Sequence, residues 1–192
     1  MASLISRNYY YFIASLPSIN YGDNPPLSSP EFAEECSGAL NPKDAAFIPY
    51  CRYDPVLAAG TALPTGSSFI DKFLTYERIL ILNIAGLRAA KLGRPAPAES
   101  PQDMPRTVAM AKKAFEMDDP LEAALAIDRN RWSILDTMID FGRIFGVNNI
   151  YIYLLKIKLL ERKQILDSAA KGKEKFRECY NSIIENYYSG KA

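Results

Sequence analysis

Asp128, Asp136 and Asp140 are the side chains whose type and spacing come closest to a chemical site in this chain. Asp136 and Asp140 stand four apart, one helical turn, and paired carboxylates on a helix face bind metal or exchange protons. Arg129, Arg131 and Arg143 lie close by in sequence and can neutralise these acids. A salt-bridged, solvated face is therefore the competing use of the same residues. The rest of the chain offers this pair no help. There is no histidine, which removes Ser-His, Cys-His and His-metal arrangements together with the E-x-x-H ligands of di-iron bundles. Cys36, Cys51 and Cys179 are odd in number, widely spaced and without a C-x-x-C pair, the pattern of reduced thiols in a cytosolic protein. Gly86, Gly93 and Gly172 are isolated and build no phosphate loop. Arg88, Lys91 and Arg94 form a small basic patch that complements a helix C-terminus; with no interleaved aromatics it does not read as a nucleic-acid site. The residue set predicts no catalytic, cofactor-binding or metal-binding group.

Two other features call for partners. Glu161 and Arg162 fall on otherwise apolar sides of a helix, so each needs a counter-charge or hydrogen bond from another segment or another protein. Lys156, Lys163 and Asp167 line up as a polar strip on the same helix and are the candidates for contact with a partner.

That helix, Asn148 to Ala170, organises the chain. Ile150, Tyr153, Leu154, Ile157 and Leu160 cover one side, and Ile152, Leu155, Leu159 and Leu166 nearly the opposite one. A helix apolar almost all round must be enclosed by neighbours. Before it, Ser68-Phe69-Ile70-Asp71 reads as a capping box opening a long helix to Gly93, with Phe69, Phe73, Tyr76, Leu80, Ile84 and Leu87 on one face. Residues 94–105 hold four prolines in twelve positions and must be an extended connection. Arg106 to Glu116 is a short helix, and Asp119-Pro120 opens another that should reach about Phe145 and stop at Gly146. Gly172 should end the central helix, leaving a last one from Glu174 to Tyr187. In the loop-rich first third, residues 1–66, Asn8 to Leu16 favours a strand on propensity. Ser29-Pro30 and Asn41-Pro42 each open a short helix, and 49–66 is loop. Leu87 to Gly93 and Leu166 to Gly172 echo one another, each after a Glu-Arg pair. The expectation is a single all-α domain over 1–192, a helical bundle with long central helices.

Composition bounds the rest. Net charge is +1, so no global field draws in nucleic acid or an anionic membrane. Its distribution is uneven: three Lys/Arg against six Asp/Glu in 1–66, and nine against five in 147–192. The start lacks the basic and apolar regions of a signal peptide, and no apolar run approaches the ~18 residues of a membrane span. A cytoplasmic protein is expected.

The stretches NYYYFIASLPSINYGDNPPLSSPEF, FLTYERILILNIAGLRAAKLGR and NNIYIYLLKIKLLERKQILDSAAKGKEKF resemble a short bacterial family of uncharacterised proteins encoded in V-type ATPase operons, at the place where the C subunit (the d subunit in eukaryotes) would be expected. The chain is also similar in pattern to the V-type ATPase C subunits themselves. That family begins with a Tyr-rich helix and carries an aliphatic-Tyr-x-x-Lys pattern leading to an Arg and a Gly. Here the pattern is Ile152-Tyr153-Leu154-Leu155-Lys156, with Arg162 and Gly172 after it. The resemblance implies that Tyr9 to Leu16 is helical. It also implies an all-helical, non-catalytic adaptor on the cytoplasmic face of the membrane, joining the axle subunits to the proteolipid ring, with no cofactor. The chain is about half the length of a usual C subunit, and no contact motif carries across. The alternative is a stand-alone helical scaffolding or regulatory domain.

Overall fold

The computed structural model describes residues 9–95 and 104–189, so most of the Pro-rich connection 94–105 lies outside the described residues. Eight helices follow one another: α1 Tyr10–Ser15, α2 Ser29–Ala39, α3 Pro42–Ala45, α4 Pro55–Gly60, α5 Ser68–Lys91, α6 Pro105–Phe115, α7 Pro120–Thr137 and α8 Val147–Ser189, with 3-10 turns at Ile48–Tyr50 and Phe141–Arg143. No strand occurs among the described residues. The protein is all-α.

The first half of α8 is the axis of the main core. Ile150, Tyr151, Ile152, Leu154, Leu155, Ile157, Leu159 and Leu160 are all buried. They are enclosed by Phe32 and Cys36 of α2, Phe69, Ile70, Phe73 and Leu74 of α5, and Trp132 and Leu135 of α7. The all-round apolar pattern has the consequence its chemistry requires. The Tyr151 hydroxyl donates to the Asp44 carbonyl at 2.7 Å and Tyr153 to that of Pro17 at 2.9 Å. α5 continues into a second, smaller core, where Tyr76 and Leu80 meet Ala111 of α6. Lys91 lies 5.5 Å above the Phe115 ring, so α5 and α6 end on the same side.

Several local expectations are corrected. Residues 10–15 form a helix, not a strand: Phe12 stacks on Phe32 at 5.9 Å and the Tyr9 amide bonds to the Phe145 carbonyl at 2.8 Å. Tertiary packing overrides a weak β-propensity that finds no second strand. The cap of α2 is Ser28, in a capping box with Glu31, and that of α5 is Ser67. Asp71 instead accepts from the Thr65 amide at 2.7 Å. The span 49–66 contains α4, capped by Asp54 and closed by Arg78, which donates to the carbonyls of Ala58 and Thr61 at 2.9 Å each. α7 stops at Thr137, because the chain must turn to bring α8 back antiparallel along it. Gly172 does not break α8. One helix of 43 residues runs through it, about 65 Å at ~1.5 Å per residue. A mid-helix glycine costs only about 1 kcal/mol, too little to stop a helix flanked by Ala and Lys. The second echo segment therefore ends no helix.

Candidate functional site

The structure separates the acidic pair. Asp136 sits at the end of α7 and accepts from Lys156 Nζ at 2.5 Å. Asp140 lies beyond the helix and accepts from the amides of Gly142 and Arg143 at 3.1 Å each, forming the turn into α8. They share no helix face. Of the candidate contact strip, Lys156 lies at the seam between α7 and α8. Lys156 is only 12% exposed and also lies 4.6 Å above the Trp132 ring. Lys163 and Asp167 pair with each other at 2.5 Å.

Asp128, the third acid, belongs to a different constellation. Its carboxylate, 0% exposed, accepts from Arg131 Nη1 at 3.0 Å on its own helix and from Arg162 Nε at 2.7 Å on α8. Arg131 turns its other edge to Glu77 of α5, donating from Nε at 2.8 Å and from Nη2 at 2.7 Å. Its guanidinium lies 4.8 Å above the Tyr53 ring, and the Tyr53 hydroxyl donates to the Leu155 carbonyl at 3.3 Å. Asn130 donates to the Tyr76 hydroxyl beside it at 2.8 Å. The four charges Glu77, Arg131, Asp128 and Arg162 thus form one chain across three helices, summing to zero. Burial pushes the Tyr53 and Tyr76 hydroxyls above their ordinary range, with Glu77 adding to the rise. Burial pulls Arg131 the other way, but its anionic partners, Glu77 first and Asp128 after it, raise it on balance, and the guanidinium stays charged.

Both neighbours in the Glu161-Arg162 pair find partners on other segments. Glu161 accepts from the Ser29 amide at 2.6 Å, an anion placed where the α2 N-terminus favours one. Arg162 takes Asp128. That each needed such a partner follows from its position on an apolar helix side. That Asp128 and Glu77 lie deep in the core does not. The available signals were the Asp128–Arg131 spacing of three and the Glu77-Arg78 pair among the apolar residues of α5.

The outer surface carries an apolar groove of ≈ 350 Å³ between α1, the Pro17–Ile19 segment, the turn after α7 and α8, with Ile13, Leu16, Ile139, Ile144 and Ile152 in its lining. Among the apolar side chains left at the surface, Tyr11 is 88% and Phe141 77% exposed. Cys36 and Cys51 are free and buried. Burial pushes the Cys36 thiol up to about 12 and Cys51 higher still, so neither is a poised nucleophile. The Cys179 side chain lies outside the described residues.

No group of three or more potential ligands capable of holding a metal occurs among the described residues, and no helix there is long and apolar enough to cross a membrane. No curated protein and no solved structure matches the chain significantly. Residues 102–187 are similar to a family described as "Protein of unknown function (DUF2764)", and the matched span holds α6, α7 and most of α8, with Asp128, Arg131, Trp132 and Arg162 among its residues.

Proposed function

We propose that the chain is a non-catalytic adaptor of a bacterial V-type ATPase, similar in role to the C subunit. In this reading it joins the axle subunits to the proteolipid ring and couples ATP turnover to ion movement. It would sit peripherally on the cytoplasmic face of the membrane. The observation that carries this reading is α8, one 43-residue helix whose first turns are enclosed on all sides by the body. A long rod seated in a stiff helical body suits a part that transmits force between two others. Such a part needs no nucleophile or cofactor. The resemblance of the stretches beginning at Asn8, Phe73 and Asn148 to proteins encoded beside V-type ATPase subunits supplies the identity of the partners.

Affinity capture of the tagged chain from native membranes, followed by mass spectrometry, tests the proposal. The expected result is recovery of axle and proteolipid-ring subunits, lost once the V-type complex is dissociated. Recovery of no ATPase subunit, with the chain monomeric in the soluble fraction, overturns it. If capture succeeds, Lys163→Glu combined with Asp167→Lys keeps an ion pair on α8 while inverting its polarity. Weakened capture then locates the contact on that strip.

A further inference from the structure

Arg78 is fixed in place but not neutralised. From α5 it donates through Nε to the Ala58 carbonyl at 2.9 Å, and through Nη2 to the carbonyls of Thr61 at 2.9 Å and Ala59 at 3.4 Å. These acceptors close the end of α4 and carry only partial charges. Every salt bridge among the described residues joins other groups. The guanidinium therefore keeps its positive charge without a carboxylate there, and its Nη1 donors stay unused among the described residues.

The same side chain borders a half-open hollow of ≈ 280 Å³ whose walls are Ala59 of α4 and Ile81 and Leu82 of α5. Val56, one turn before Ala59 on the same side of α4, is 80% exposed. Tyr76 and Leu80 turn to Ala111 of α6. Arg78 and Leu82, two positions on from each, fall on nearly the opposite side of α5, away from α6. A cation against aliphatic walls, with one nitrogen left to donate, matches a carboxylate on an aliphatic stem. Phosphates and nucleic acid call on several cations at once, and one nitrogen is too few. A free metabolite is also a poor match, because small-molecule sites run about 300–1,000 Å³ and enclose most of their ligand. A side chain carried on another polypeptide needs cover only at its tip.

We propose that the valley between α4 and α5 docks an acidic, aliphatic segment of another polypeptide. Its Glu or Asp carboxylate accepts from Arg78 Nη1, and an aliphatic side chain one turn away covers Val56, Ile81 and Leu82. That cover displaces water from the ion pair and strengthens it. Because backbone carbonyls already set the guanidinium, docking costs little side-chain freedom. The surface is separate from the Lys163–Asp167 pair on α8, and it stands whether or not the chain serves as an adaptor.

Methyl-resolved NMR of the full chain tests this with an end-blocked helical peptide holding one Leu and one Glu a turn apart, and with its Gln counterpart. The Glu peptide should shift the methyls of Ala59, Ile81 and Leu82. It should bind about tenfold more tightly than the Gln peptide, the worth of a hydrogen bond to a charged group. Ala59→Glu should set an internal carboxylate on Arg78 and abolish that difference, with helical circular dichroism unchanged. Arg78→Met should abolish it too; should loss of the α4 contacts unfold that variant, Ala59→Glu decides alone. Equal binding of the two peptides, no shift with either at millimolar concentration, or shifts confined to other methyls overturns the proposal. So does 4-methylpentanoate binding as tightly as the Glu peptide, which would make the hollow a site for a free acid.

Discussion

Arg131 directs all three of its guanidinium nitrogens at carboxylates on two helices. Removing one partner from such a group strands the remaining charges in the core, which costs about 3–5 kcal/mol where the site is buried. Arg131→Met should lose that much in a urea titration, far more than loss of the more exposed Lys163–Asp167 pair. The same residues mark how far side-chain reasoning reaches. A charge on an apolar helix side must be met by something, so the need of Glu161 and Arg162 for partners was legible. Which residues meet them depends on three helices converging, and no local spacing encodes that. The Asp136–Asp140 pair failed for a related reason. It assumed a helix continuing past Thr137, where the return of α8 forces a turn.

Among the elements, α5 and α8 were legible because their apolar residues recur at helical spacing over many turns. α1 was not, since six residues of aromatic and β-branched character have no periodicity to outweigh propensity. The resemblance implied a helix there, and a helix is what forms. Stops proved harder than starts. Asn41, Asp54 and Asp119 cap their helices through side-chain oxygens, and the Asn41 and Asp119 starts were readable. Gly172 reads as a stop only if its neighbours are poor helix formers, and they are not. A Cβ at Gly86 or at Gly172 meets nothing within 4 Å. Gly86→Ala should therefore stabilise the fold by about 1 kcal/mol in thermal unfolding, and Gly172→Ala should raise helical circular dichroism.

At the scale of the molecule, the first half of α8 sits inside a shell of shorter helices, and that shell leaves Tyr11 and Phe141 outside. Their exposure means that Tyr11→Ser and Phe141→Ser should each change unfolding free energy by less than about 0.5 kcal/mol. A larger loss in a chemical denaturation curve would mean that they pack more tightly than their exposure indicates. The acidic front and basic rear were visible in the sequence. Two cations of the rear are matched by acids of the middle stretch, Lys156 by Asp136 and Arg162 by Asp128, and Glu161 of the rear by the amide end of α2.

Trp132 is the chain's one tryptophan, and it stands at the seam between α7 and α8, under Lys156 and edge-on to Tyr21 at 5.5 Å. It lies on α7 one turn from Asp128, and α8 and the loop after α1 both press upon it. Its intrinsic emission is therefore an optical gauge of whether those three segments are together. Ultraviolet excitation alone, with no dye attached, reads how α8 is seated.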